Sequence, residues 1–334
     1  MHFDSFAFGI IGAGTIANLH AEAIRAAGHR VARVCDVRPQ AAERLAAEYG
    51  ATAATDHRAL LSDTTIDGVI ITAPHALHAP LALDALAAGK HVLLEKPIAT
   101  THADAVMLAG AAATASVTLA VGHVLHFVPS HIAAHDLLRA GAIGDIRLVV
   151  ERRASNYAEG SRPEWFFDPV VAGGGIVLNV GTHAIDRIQW FADARIRRVS
   201  GAVSARPGSE VETDAAALFE LEGGGHASLT VTGTGLGFVE QIAVIGDRGA
   251  LTVDREAGVQ VFVGGERTVH VPVQPDEMAA AFTAQIHDVV EAARTGREPR
   301  VGVDYAAGVL DAALAVYSSS EIGASVTVTS EVAA

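Results

Sequence analysis

The sequence predicts an α/β chain, with a parallel sheet covered by helices over its first third and a mainly antiparallel sheet after it. Two patterns carry this reading. Up to about residue 122, short apolar runs (Ala7–Ile11, Val31–Cys35, Gly68–Thr72, His91–Leu94, Val117–Val121) alternate with alanine-rich segments of helical length, such as Leu77–Ala88 and His102–Ala113. That rhythm predicts βαβ units and a sheet buried on both faces. After about residue 195 the period changes to two: Ala227, Leu229 and Val231 alternate with Ser228, Thr230 and Thr232. Val259, Val261 and Val263 alternate likewise, and Gly264-Gly265 turns the chain into Val269, Val271 and Val273. Such alternation with glycine hairpins marks antiparallel strands with one packed face. Two helical stretches, 276–294 and 303–320, complete the pattern.

Composition narrows the function. The 334 residues are 50% hydrophobic and 19% charged, so a packed core is expected, and the length suits two domains. A formal net charge of −14 without basic runs argues against nucleic acid or an anionic membrane as partner. Cys35 is the single cysteine, so no internal disulfide forms and a reducing, cytoplasmic compartment is expected. The stretch MHFDSFAFGIIGAG has no basic n-region or long apolar core of a secretory signal. No run of about 18 apolar residues is present to span a bilayer.

Gly12-Ala13-Gly14-Thr15-Ile16-Ala17 has the form G-x-G-x-x-A, following the first apolar run and opening a helical pattern. Gly12 allows the tight turn, Gly14 lets backbone approach a pyrophosphate, and Ala17 allows close helix–strand packing. The helix N-terminus, with Thr15 and Ile16, would face the phosphates. Asp36 ends the second run, 22 residues past Gly14, where a carboxylate can accept from ribose hydroxyls and repel a 2′-phosphate. A Rossmann dinucleotide-binding domain and NAD rather than NADP are therefore expected. Val37 and Arg38 belong to the same end, and Arg38 could soften the preference. Ligands of an open parallel sheet lie beyond the carboxyl ends of its strands. Thr72, Ala73, His75 and His78 after one strand, and Glu95 and Lys96 after another, are thus expected on the cofactor's side.

From Thr72 to Ala99, the stretch TAPHALHAPLALDALAAGKHVLLEKPIA resembles the region of the glucose-fructose oxidoreductase, inositol dehydrogenase and rhizopine-catabolism (Gfo/Idh/MocA) family that carries an E-K-P motif. The resemblance continues through AGAIGDI (140–146), GGGIVLNVGTHAID (173–186) and the last helical stretch around Tyr305–Tyr317. It implies residues 1–124 as an NAD(P)-binding Rossmann domain and 125–334 as an α/β domain for substrate and oligomerisation, with a large open, mainly antiparallel sheet. The helix 303–320 would pack back toward the first domain. Lys96 would lie near nicotinamide and the reacting hydroxyl, and a cis peptide before Pro97 would help aim it.

Gly173-Gly174-Gly175 reads as a flexible turn before a helix. Asn179, His183 and Asp186 follow at spacings of four and three, one helix face if the helix already includes Asn179. By resemblance His183 accepts the substrate's hydroxyl proton, a role open to neutral imidazole with its ordinary pKa of about 6.5. Lys96 would stabilise developing alkoxide charge. Two positions depart from the commonest family pattern: Asn179 stands where aspartate is usual, and His126 where many members carry arginine. Asn179, Asp186, His126 and Trp165 are the candidate substrate contacts.

The 16 histidines include ligand-like pairs at His75/His78, His123/His126 and His131/His135. None joins a cysteine or an H-E-x-x-H pattern, and no catalytic metal is expected. The expected function is an NAD-dependent dehydrogenase oxidising a secondary hydroxyl of a cyclic polyol, sugar or sugar derivative. The alternatives are a redox-neutral, NAD-dependent glycosidase-type enzyme or a non-catalytic cofactor-sensing regulator. The strands between about 210 and 273 are expected to leave a sheet face apolar enough for a homodimer or homotetramer.

Overall fold

A computed structural model describes residues 5–233, 237–272 and 274–329. Val273, the end of the expected alternation, lies outside the described residues. The chain divides into two compact units. One holds the residues up to Phe127 with Met278–Ala306, the other Val128–Glu277 with the residues from Ala307 onward.

In the first unit β1 (Ala7–Ile11), α1 (Thr15–Ala26), β2 (Arg30–Cys35), α2 (Pro39–Tyr49), β3 (Thr52–Ala54) and α3 (His57–Leu61) form the first half. Then come β4 (Gly68–Ile71), α4 (His78–Ala87), β5 (His91–Glu95), α5 (His102–Thr114) and β6 (Leu119–Gly122). The strands pair in parallel in the order β3-β2-β1-β4-β5-β6. In this Rossmann order β1 and β4 meet where the topology reverses, the place where open sheets hold ligands. β1 and β4 are buried along their whole length, which is why they read as unbroken apolar runs. β3 escaped the sequence pattern because it is three residues of small, largely exposed side chains.

The second unit begins with α6 (Pro129–Arg139), β7 (Ile146–Ala154), α7 (Pro169–Ala172) and α8 (Thr182–Ala192). Strands β8 (Ile196–Ser204), β9 (Asp214–Leu221), β10 (His226–Thr232) and β11 (Val239–Gly246) follow. β12 (Gly249–Asp254), β13 (Gly258–Val263) and β14 (Glu266–Val271) complete the run. After them come α9 (Glu277–Thr295), α10 (Val303–Ile322) and β15 (Val326–Thr327). α9 belongs almost wholly to the first unit, and α10 gives it only its first residues. The nine strands run β14-β13-β12-β11-β7-β10-β9-β8-β15. All neighbours are antiparallel except β7 and β10. Gly264 and Gly265, both at positive φ, make the expected two-residue hairpin between β13 and β14.

Ala227, Leu229 and Val231 are buried as the alternation required, beside Phe219 of β9 and Val149 of β7. β14 departs from it: Glu266–His270 are exposed throughout, as befits an edge strand. The opposite sheet face is less apolar than expected. One row across it reads Leu218, Ser228, Val150, Ala243, Thr252 and Gln260, with Leu218 64% and Val150 37% exposed.

Candidate active site

At the nucleotide end of the first unit the glycine motif behaves as its spacing requires. Gly12 has φ +99°, and a Cβ there would lie 2.7 Å from the Thr72 carbonyl oxygen and 2.9 Å from the Ala73 nitrogen. Only glycine fits. Thr72 also donates its hydroxyl to the Gly12 carbonyl at 2.8 Å, so Thr72 and Ala73 brace the turn. Gly14 is different: a Cβ there would meet nothing within 4 Å. Its missing side chain makes room for atoms other than the chain's own, at the N-terminus of α1, as a pyrophosphate requires. Thr15 and Ile16 stand exposed beside that space, and Ala17 is fully buried against the sheet.

Asp36 is buried at the end of β2. It accepts from the Ala13 N–H at 2.8 Å, from the Arg38 N–H at 2.9 Å and from the Arg38 guanidinium at 3.1 Å. Burial alone would raise its pKa, but the Arg38 and backbone donors outweigh it and hold the carboxyl below its ordinary range. Val37 is exposed between them. The residues present therefore fit a dinucleotide: a turn, an open helix N-terminus and an ionised acid one strand away.

In the E-K-P segment the Lys96–Pro97 peptide is cis and Lys96 is half-buried. Glu95 is buried and engaged within the chain. Its Oε1 meets His20 Nε2 of α1 at 2.7 Å, and its Oε2 accepts the Lys96 N–H at 3.2 Å. That His20 contact outweighs burial and keeps Glu95 below the ordinary carboxyl range. His78 is 1% exposed, with Nδ1 2.7 Å from the Pro97 carbonyl and Nε2 2.9 Å from the Ala73 carbonyl. His75 is buried edge-on to the His78 ring. His126, also buried, meets the Tyr305 ring edge-on with centroids 5.2 Å apart.

In the second unit two of the three glycines, Gly174 and Gly175, are required by their close neighbours. A side chain on Gly174 would run into the Tyr317 hydroxyl, and one on Gly175 into the Glu212 backbone. Glu212 receives the next helix: its carboxylate accepts the Gly175 N–H at 2.8 Å, the Val177 N–H at 2.9 Å and the Tyr317 hydroxyl at 2.7 Å. A buried acid thus satisfies amides that a helix start leaves without partners, and its charge suits the positive end of the helix. Glu212 did not stand out in the sequence, and Tyr317 did so only as the end of a stretch that carries the family resemblance.

The helix does include Asn179, but its opening turn, Val177–Gly181, is π-helical. Such wide turns recur at functional sites. Asn179 is buried there, while the Tyr157 hydroxyl donates to the Phe166 carbonyl at 3.2 Å. His183 lies partly exposed in the first turn of α8, and Asp186 is wholly buried one turn on. Trp165 is half-buried and stacks on Phe166, with ring centroids 3.7 Å apart.

α8 is fastened to the sheet by Arg187, which is 0% exposed. Its guanidinium pairs with Glu151 of β7 and, at 2.8 Å, with Glu240 of β11, while Arg153 reaches Glu240 at 2.7 Å. Arg153 and Arg187 overcome burial to hold Glu240 far below the ordinary range, whereas burial raises Glu151. His131 Nε2 lies 3.4 Å from Arg187, and His135 stacks on Trp190, so both are engaged with their neighbours. Among the described residues no group of three or more histidine, cysteine, aspartate or glutamate side chains is arranged to hold a metal. Among them, too, no helix is long and apolar enough to cross a membrane.

Residues 6–123 match the oxidoreductase family with an NAD-binding Rossmann fold, GFO_IDH_MocA, and residues 131–252 match the GFO/IDH/MocA C-terminal domain. An inositol 2-dehydrogenase of Rubrobacter xylanophilus is 29% identical over 77% of this chain and 74% of its own. A 1,5-anhydro-D-fructose reductase of Ensifer adhaerens is 29% identical over 85% of this chain and 88% of its own. Among solved structures, GenD2 from gentamicin A biosynthesis in complex with NAD is 25% identical, with a TM-score of 0.89 over 98% of each chain.

Proposed function

The chain belongs to the GFO/IDH/MocA oxidoreductase family, and from that premise we propose that it oxidises a secondary hydroxyl of a cyclic polyol, sugar or sugar derivative. It is an NAD-binding oxidoreductase of the sugar and polyol dehydrogenase type. The observation that carries the reading is the nucleotide end, where Gly12 packs on Thr72 and Ala73, Gly14 leaves its space open, and Asp36 is ionised. Relatives named for inositol and anhydrofructose support a polyhydroxylated ring as substrate.

Bound NAD would supply a hydride acceptor at nicotinamide C4. The remaining work falls to side chains. Lys96 would donate to the substrate oxygen and stabilise the charge that develops there. His183 would take the hydroxyl proton. Asn179 is neutral where a carboxylate is commoner in the family, so His183 would act without that extra negative charge. Asp186, His126 and Trp165 remain candidate substrate contacts.

The test is turnover. NAD with a panel of inositols, aldoses and anhydrosugars should yield net, stoichiometric NADH absorbance with at least one member. Release of a sugar without net NADH would favour a redox-neutral glycosidase-type enzyme. Tight NAD binding with no turnover across the panel would favour a cofactor-sensing regulator.

A further inference from the structure

We infer that His20 and His78 are the positioning residues of Lys96, one fixing the residue before it and the other the residue after it. The inference rests on the reading of Lys96 as the lysine that works on the substrate hydroxyl. Its own basis is a set of contacts inside the first unit. A lysine that must donate to one oxygen needs its backbone held, because its four-carbon stem is flexible. Apart from Pro97, no regular element holds it: β5 ends at Glu95, and α5 begins only at His102.

Both flanks of Lys96 are instead tied to distant elements. On the near side, Glu95 is held by His20 Nε2 at 2.7 Å, with the Glu95 carboxylate also accepting the Lys96 N–H. His20 is 0% exposed, and Phe282 packs edge-on against its ring at 5.0 Å. It lies on α1, the helix whose first residues face the open space at Gly14. On the far side, His78 lies within hydrogen-bond distance of both the Pro97 and the Ala73 carbonyls. A carbonyl can only accept, so the ring donates toward Pro97, toward Ala73, or, when protonated, toward both. Ala73 is also the residue against which Gly12 turns. The two histidines therefore refer the lysine's backbone to the parts that frame the cofactor end. Their side chains are buried and are placed to act through Lys96.

The ring nitrogens offer a selective test. An asparagine amide nitrogen occupies the place of Nδ1, and a glutamine amide nitrogen that of Nε2. His78→Asn should keep the Pro97 contact and His78→Gln only the Ala73 contact. The glutamine variant should then have kcat lower than the asparagine variant by about tenfold or more, within the ~10²-fold scale of a small misplacement of a reacting group. For His20 the order reverses: His20→Gln keeps the donor to Glu95 and should exceed His20→Asn. NADH affinity, read by fluorescence, should differ little within each pair, a split that general loss of stability would not give.

Each weak variant is then combined with Lys96→Ala. A residue acting through Lys96 should add less than about twofold to that loss, because effects that share one route do not multiply. Equal kcat in the asparagine and glutamine variants, or losses that multiply with Lys96→Ala, would overturn the positioning role while leaving the Lys96 reading intact. Wild-type turnover in Lys96→Ala would overturn both.

Discussion

Glu212 accepts the backbone N–H of Val177 at 2.9 Å from 35 residues away, so the helix that carries His183 starts on an acid from outside it. The same carboxylate holds the Gly175 amide and receives the Tyr317 hydroxyl. Glu212→Gln should leave one buried amide facing an NH₂ group and cost about 1–3 kcal/mol. Tyr317→Phe removes only one of the three donors and should cost about 1 kcal/mol. Urea unfolding midpoints check both, and an unchanged midpoint in Glu212→Gln would show that this helix start draws no stability from the acid.

Alkaline stability should report the same corner of the second unit. Burial, with Glu212 beside it, raises the Tyr317 hydroxyl well above its ordinary value, and burial pushes Tyr157 up to about 12. The native state therefore keeps protons that the unfolded chain gives up near pH 10. The stabilisation is whole below pH 10 and is lost as pH rises through the native values, by up to about 1.4 kcal/mol per pH unit for each tyrosine. The unfolding free energy should owe little change to these groups between pH 8 and 9 and should fall along that slope between pH 10 and 11, and Tyr317→Phe should flatten the fall.

Local motifs were legible in the sequence, and non-local partnerships were not. Gly12, Gly14 and Asp36 could be read because turn, helix start and strand end follow one another within 25 residues, 12 to 36. The Glu95 pairing could not be read because its partner, His20, is 75 residues away and reads as an ordinary histidine in an alanine-rich helix. Arg187, Glu151 and Glu240 form a buried ionic group only because β7 enters the middle of the sheet, beside β11. Alternation gives each strand an inside and an outside but says nothing of which strands are neighbours.

Cofactor preference should turn on one residue. Asp36 repels a 2′-phosphate and also engages the Arg38 guanidinium. Asp36→Ser removes the repulsion and frees Arg38 for a phosphate. NADH should bind the parent protein more tightly than NADPH, and the variant should narrow that gap by about tenfold or more, given the strength of a close charge pair. An unchanged ratio in fluorescence titrations would assign the preference elsewhere.

Lys96→Ala should lower kcat by roughly 10²-fold or more, the scale of losing one preorganised donor to a developing charge. His183→Ala should cost roughly 10²–10⁴-fold. The parent rate should fall at acid pH as its base protonates, and that limb should be absent in His183→Ala. Near-parental turnover in His183→Ala would require another proton acceptor.

Assembly is expected through the outer sheet face of the second unit. Although that face is less apolar than the alternation suggested, its row sets exposed Leu218 and Val150 beside Ser228, the apolar contacts a second copy would cover. Light scattering should give a dimer or tetramer at micromolar concentration, and Leu218→Lys should shift it toward monomer. A parent protein already monomeric there would exclude this face.

The first unit is discontinuous, and this separates the order of synthesis from the order of completion. The Val121 N–H of edge strand β6 donates to the Val301 carbonyl at 3.0 Å, and the ring against His20 belongs to Phe282. Both partners leave the ribosome only after every strand from β7 to β14. Until then the nascent parallel sheet presents an open edge, the kind of surface to which other chains add. A fragment ending at Phe127 would keep that edge permanently. The open interval of this edge thus belongs to a part made early, and it closes only when residues 282–301 arrive.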